Sequence, residues 1–168
     1  MVDSELLLRW FRGRENVVAV ANDRGGLSPQ LLERPLIPSD LEETHLNSSG
    51  TCLGYYLLRT DDHVHVSCVD LDGKNGRDSD WREKAVAVYT LLDQADLNPV
   101  CEISASGQGC HVYLFFPEAV PAWLPRVFFQ RVAEKLETTF AEIFPRQDSL
   151  RNPDSRVGRW GSLAYVSC

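Results

Sequence analysis

The sequence predicts an α+β protein. Its core is an antiparallel sheet built in strand–helix–strand–strand–helix–strand order, with a small α/β module in front of it. Three observations carry this expectation. Residues 63–72 (HVHVSCVDLD) alternate strictly. Residues 80–96 repeat apolar side chains at helical spacing. Residues 100–106 and 110–116 are strand-like runs joined at Gly107-Gln108-Gly109, a hairpin signal. The order is a split βαβ arrangement, with helices on one face of the sheet and the other face left open.

Taken in order, residues 4–12 (SELLLRWFR) read as a short helix with Leu6, Leu7, Trp10 and Phe11 on one face. Val17–Ala21 is β-branched and strand-like, and Asn22-Asp23-Arg24-Gly25-Gly26 is a turn. Residues 28–50 form a loop-rich connector with a short helix near Ser39–Leu46. A strand is expected over 53–59. In the next strand, Val64, Val66, Cys68, Asp70 and Asp72 share one face, until Gly73, Asn75 and Gly76 break it.

The helix over 80–96 takes Asp80 as N-cap and Glu83 at the third position, with Trp81, Ala85, Val88, Leu92 and Ala95 as its apolar stripe. Pro117 is expected to stop the second hairpin strand. A helix follows within 121–143, with Phe128, Val132, Leu136 and Phe140 on one face. Residues 144–160 are turn-rich, and 161–166 read as a last strand. The division expected is 1–60 for the module and 61–168 for the core.

Composition narrows the function. Of 168 residues, 43% are hydrophobic and 24% charged, enough to bury a core without disulfide staples. The five cysteines are odd in number and show no C-x-x-C spacing, which argues against a zinc knuckle or a disulfide framework. Cys68, Cys101 and Cys110 read as small buried hydrophobes. No run spans a bilayer, and the N-terminus lacks a secretory signal, so a cytoplasmic protein is expected.

Lys and Arg number 17 against 24 Asp and Glu, a net charge of −7, unlike a standing basic nucleic-acid binder. The charge is uneven. Residues 61–80 hold six acids against Lys74 and Arg77, whereas 144–160 hold Arg146, Arg151, Arg156 and Arg159 against two acids. An acidic hot spot beside a basic tail suggests a metal site next to an anion site, although solvated loops would give the same pattern.

Three segments could carry chemistry. Asp70 and Asp72 aim two carboxylates the same way at a strand end, a pair suited to Mg²⁺ or Mn²⁺. An exposed strand end would look the same. Ser104-Ala105-Ser106-Gly107-Gln108-Gly109-Cys110-His111 is a glycine-bracketed turn that could cradle an anion, with His111 able to donate to a phosphate oxygen. A plain hairpin is the duller reading. In Phe144-Pro145-Arg146-Gln147-Asp148, Asp148 could complete a carboxylate cluster and Arg146 could pair with a phosphate. Trp160, beside Arg159, is the aromatic placed to stack on a base.

Together these segments resemble the three signature motifs of the archaeo-eukaryotic primase superfamily: two acids ending a strand, a Ser-Gly-x-Gly-x-His hairpin, and a single Asp. Val69-Asp70-Leu71-Asp72 matches the first, residues 102–116 are similar to the second, and residues 144–148 look like the third. The resemblance is closest to the primase-polymerase domains of TOTE conflict systems and CRISPR-associated primase-polymerases. Upstream, Phe11-Arg12-Gly13-Arg14-Glu15, His45-Leu46 and residues 53–58 resemble the N-terminal module of that subgroup. Two segments depart from the pattern: Gln108 stands where related domains often have Lys, Arg or Asn, and Gly161-Ser162-Leu163-Ala164 replaces the usual closing segment.

The resemblance implies an RRM-like catalytic core, and the departure at the closing segment is expected either of a core truncated at its C-terminal end or of a degenerate copy. It implies a template-directed nucleotidyltransferase in which Asp70, Asp72 and Asp148 hold two Mg²⁺ or Mn²⁺ ions. Ser104, Ser106, Gly107, Gln108, Gly109, His111 and Arg146 would hold the nucleoside triphosphate. A single-stranded DNA or RNA template and a helicase or defence-system domain outside this chain are the implied partners. The first rival reading is a nucleotide or nucleic-acid binding module of the same fold without turnover. A metal-dependent nuclease using the same carboxylates ranks third.

Overall fold

The computed structural model describes residues 3–21, 27–46, 53–73, 79–104, 106–150 and 163–165. The turn expected at 22–26, the Asn75-Gly76 break, and Arg151, Arg156, Arg159 and Trp160 of the basic tail lie outside the described residues. In chain order the elements are helix α1 (Ser4–Trp10), strands β1 (Val17–Ala21) and β2 (Leu27–Leu31), and helix α2 (Pro38–Leu41), which runs into a π-helical turn at Glu42–Leu46. Strands β3 (Leu53–Tyr56) and β4 (His63–Asp72), helix α3 (Trp81–Asp93), and strands β5 (Val100–Ile103) and β6 (Gly109–Pro121) follow. Helix α4 (Trp123–Lys135) and strands β7 (Glu142–Phe144) and β8 (Leu163–Tyr165) complete the set.

The alternating segment becomes β4, a central strand of an antiparallel sheet ordered β5-β6-β4-β7. That is the split βαβ order, so the α+β class read from the sequence holds. A second antiparallel sheet runs β2-β1-β3-β8. One face of the first sheet packs on the helices: Val69, Leu71, Val112 and Leu114 meet Trp81, Val88, Leu92, Phe129 and Val132. Full burial of each large side chain contributes about 1.5–3 kcal/mol. The other face is covered along part of its length by Phe11, Leu41, Tyr55 and Leu57, which pack on Val66, Cys68, Tyr113 and Phe144.

The fourth strand of the split βαβ sheet is β7, not the 161–166 segment. Helix α4 stops at Lys135, and Glu142–Phe144 adds to the free edge of β4. Ser67 Oγ donates to the Phe144 carbonyl at 2.6 Å, and Phe144 itself is buried. Three residues are too few to show a strand period in sequence. Residues 163–165 instead pair with β3 in the second sheet.

Pro117 does not stop β6, which runs on to Pro121. The register shifts between the Val64–Val120 and Val66–Phe115 pairs, so Pro117 falls in the irregularity, where its missing N–H interrupts no ladder. The same long strand covers His65, which is buried and lies 3.3 Å from an Arg59 guanidinium nitrogen.

Local signals were used unevenly. Asp3 caps α1, accepting from the N–H groups of Glu5 (3.0 Å) and Leu6 (3.2 Å). Asp80 occupies the N-cap of α3, but its carboxylate makes no capping bond and lies 3.4 Å from Lys84 Nζ. Cys68 and Cys110 are buried as expected, whereas Cys101 is exposed because β5 is an edge strand. Among the described residues, no helix is long and apolar enough to cross a membrane.

Candidate active site

Cross-strand pairing builds the site. Residues directly opposite one another in an antiparallel sheet project from the same face. Glu102 pairs with His111, His111 with Asp70, and Asp70 with Glu142. One row of four ionisable side chains therefore crosses β5, β6, β4 and β7. Two residue pairs further along, and so on the same face, Asp72 pairs with Gly109, and the Ser104 N–H donates to the Gly109 carbonyl at 2.9 Å. The neighbouring row in the other direction is apolar: Val100, Tyr113, Cys68 and Phe144. The charged row thus begins where the N-terminal residues cease to cover the sheet.

His111 is the electrostatic centre of the row. Its Nε2 lies 3.7 Å from Asp70 Oδ1 and its Nδ1 lies 3.4 Å from Glu102 Oε2. The Nδ1 contact is not directed as a hydrogen bond, and it is best described as a charge pair. Burial disfavours the charged ring, but the proximity of Glu102 and the charges of Asp70 and Glu102 outweigh it, and the pKa of His111 is raised. Tyr113 Oη donates to the same Glu102 oxygen at 2.8 Å and fixes that carboxylate from below. The Cys68 thiol is pushed well up by burial, with the charges of Asp70, Glu102 and Glu142 adding to the effect. Three carboxylates therefore act on one small region.

The hairpin is tightly wound. Gly107 has φ +67°, a left-handed conformation that glycine adopts without strain. Its N–H donates to the Ser104 carbonyl at 2.8 Å, and the Gln108 N–H donates to Ser106 Oγ at 3.3 Å. Those two donors are therefore already engaged within the turn. The hydroxyls of Ser104 and Ser106 lie 3.1 Å apart. The Gly73 N–H donates to the Gln108 carbonyl at 2.7 Å, tying the hairpin to the end of β4. Opposite Asp72, a Cβ on Gly109 would fall 2.6 Å from the Leu71 carbonyl oxygen, so only glycine fits there without displacement.

The third segment is held differently. Asp148 accepts from the Arg126 guanidinium of α4. Arg146 Nε donates to Glu142 Oε2 at 2.9 Å, and its guanidinium sits 5.2 Å from the centre of the Phe144 ring. Arg146 is thus docked on the residue paired with Asp70. Among the described residues, no group of three or more His, Cys, Asp or Glu side chains has the arrangement of a metal cage. The donor chemistry of Asp70 and Asp72 suits a hard divalent cation, since both are carboxylates on one strand face and half-buried at the sheet end.

Sequence reasoning singled out Asp70, Asp72, His111 and Arg146 but gave no role to Glu102, Glu142 or Tyr113. The signal was partly available, since counting back from the Gly107–Gly109 turn puts Glu102 opposite His111. Glu142 had no such signal, because its strand is apparent only from tertiary pairing.

The site is a split βαβ sheet with carboxylates and a histidine in one row on one face. The family profile described as the Archaeo-Eukaryotic Primase domain of the TOTE conflict system matches residues 30–158. The chain belongs to that family. No curated protein matches the sequence. Membership supports a primase-like, nucleotidyltransferase function in general terms, with nucleotide and nucleic acid as substrates.

Proposed function

We propose that this chain is a template-directed primase-polymerase core that joins nucleoside triphosphates to a nucleic-acid 3′-end or starts a primer. The observation that carries this reading is the row in which His111 lies between Asp70 and Glu102, two residue pairs from Asp72 and the Ser104–Gly109 turn. In the reaction a bond forms between the 3′-oxygen and the α-phosphorus, and the α–β phosphoanhydride bond breaks to release pyrophosphate. The work left to the protein is positioning and charge neutralisation.

Asp70 and Asp72, with Asp148 released from Arg126, would hold Mg²⁺ or Mn²⁺ ions, which supply Lewis-acid neutralisation of the reacting oxygens. Each other role belongs to this chain's own side chains. His111, whose pKa its two acidic neighbours raise against the opposing effect of burial, donates to a triphosphate oxygen. Ser104, Ser106 and the Gly107-Gln108-Gly109 turn line the phosphate path, with Arg146 at its far edge. Residues 1–60 act as a module seated on the core, 61–168, and close one side of the site.

The test is Mn²⁺-dependent incorporation of labelled nucleotide on a primed template, compared between the wild type and the Asp70→Ala, Asp72→Ala double variant. Incorporation that survives in the double variant would remove the assigned site. A second reading, a nucleotide-holding module without turnover, is favoured by the Asp148–Arg126 pair, which occupies the third carboxylate. Nucleotide binding without incorporation by the wild type would establish it.

A further inference from the structure

Two cysteines stand together on the helix-facing side of the first sheet. Cys101 of β5 pairs with Val112 of β6, and Ile103 pairs with Cys110. Residues directly opposite, or two apart along a strand, share a face. Cys101 and Cys110 are therefore diagonal neighbours across the hairpin, on the side where Cys110 and Val112 pack with Trp81, Val88 and Leu92 of α3. The right-handed twist of a strand pair shortens one diagonal and lengthens the other. This is the short one, since the Cys110 S–H donates to the Cys101 sulfur.

The two thiols differ in access. Cys101 is exposed, and Cys110 is fully buried behind it. Cys101 lines a groove of about 350 Å³ between α3 and β5, walled also by Ala85, Val86, Tyr89 and Ile103, through which a small molecule reaches the sulfur. A disulfide needs Cα atoms no more than about 7 Å apart. β5 is an edge strand, free to shift the small distance that separates thiol contact from an S–S bond.

The electrostatics assign different roles to the pair. The bond from Cys110 draws the Cys101 thiol below the ordinary range, against burial and the Glu102 charge, and the His111 charge acts in the same direction. The same bond, with burial, pushes Cys110 up. Cys68 lies on the other face, beside Tyr113 and Phe144, with its thiol pushed well up by burial.

We propose that Cys101 and Cys110 are a reversible redox pair, in which a hydroperoxide oxidises Cys101 and Cys110 then closes a disulfide. The Cys101 thiolate attacks one peroxide oxygen; an S–O bond forms, the O–O bond breaks, and the departing hydroxide takes up a proton as water. The Cys110 sulfur attacks the resulting sulfenic acid. An S–S bond forms, the S–O bond breaks, and the oxygen leaves as water with the Cys110 proton. Two thiols are oxidised and hydrogen peroxide is reduced to two waters. The hydrogen bond that held the Cys110 proton is lost once Cys101 is a sulfenic acid, which frees Cys110 for its step. The disulfide would close a ring around Ser104–Gly109 and fix the hairpin beside Glu102 and His111. That consequence for transfer rests on the function proposed above; the thiol chemistry does not, and mass reads it without an incorporation assay.

The experiment treats the whole chain with hydrogen peroxide, then alkylates it in denaturant and digests it with trypsin. Residues 85–126 emerge as one peptide, because the stretch holds no Lys or Arg before Arg126, and Cys101 and Cys110 are its two cysteines. The peptide is expected to escape alkylation and to be lighter than the dithiol form by a pair of hydrogens, and dithiothreitol should restore alkylation at both sites. In Cys101→Ser protein, an exposed change, Cys110 should be lost to oxidation at least about tenfold more slowly than in the wild type. In Cys110→Ala protein, checked for folding by circular dichroism, dimedone should trap Cys101 as the sulfenic acid. A wild-type peptide alkylated at both cysteines after peroxide, Cys110 lost as fast in Cys101→Ser protein, or Cys101 bridged to Cys52 or Cys168 in place of Cys110 would overturn the proposal.

Discussion

Replacing Gly109 by alanine tests how closely β6 and β4 must approach at the candidate site. The added Cβ would lie 2.6 Å from the Leu71 carbonyl oxygen and 3.3 Å from Asp72 Cα, where ordinary contact begins at 3.4 Å. Both neighbours are backbone, so no side chain can swing aside, and the strands must separate by about 0.8 Å at that pair. Overpacking of this kind costs about 1–3 kcal/mol. For a chain of this length that is a fall of roughly 2–12 °C in melting temperature. The displaced backbone carries Asp72, so incorporation should fall further than the loss of folded protein explains.

Gly107→Asn is the matched control. Nothing lies within 4 Å of a Cβ at Gly107, and asparagine tolerates its φ of +67° better than other side chains. Thermal unfolding by circular dichroism, run beside the incorporation assay, reads both variants. A Gly109→Ala protein that melts within about 1 °C of wild type, or a Gly107→Asn protein hit equally hard, would refute the argument.

Glu102→Gln should lower the pKa of His111, read by NMR titration of metal-free protein; an unchanged pKa would mean that Glu102 does not hold the ring charged. The raised pKa implies a stabilisation present below the unfolded value, about 6.5, and lost as pH rises through the folded value. Denaturant unfolding of Glu102→Gln should therefore depend less on pH across that window. Phe129→Ala empties a fully buried position between α4 and the sheet and should cost about 3–5 kcal/mol in urea unfolding. Arg126→Ala removes a partly exposed ion pair and should cost no more than about 1 kcal/mol, while freeing Asp148 should raise Mn²⁺ affinity in calorimetry.

How much of this was legible in the sequence depends on the range of the interaction involved. Local periodicity was sufficient for β4, for α3 with its buried Trp81, Ala85, Val88 and Leu92, and for the hairpin turn at Gly107. It placed Asp70, Asp72 and His111 on the strands where they stand. It did not set the limit of β6, because Pro117 is harmless inside a register shift. Nor could it find β7, whose three residues form a strand only because the edge of β4 is there to receive them. Cys101 is exposed for the same kind of reason: a strand's position at an edge is a property of the assembled sheet.

The sequence by itself determined the chemistry available: which acids, which histidine, and a glycine turn between two strands. Short-range rules suffice for that, since side-chain alternation and turn conformation are set by a few adjacent residues. Only the tertiary structure decided which charges face one another. Glu102, His111, Asp70 and Glu142 are spread over 73 positions of chain and meet solely through strand register. The same holds for the pairing of Asp148 with Arg126 and for the Tyr55 hydroxyl, whose lack of a partner follows from what packs around it. Register and packing are cooperative properties of the whole chain.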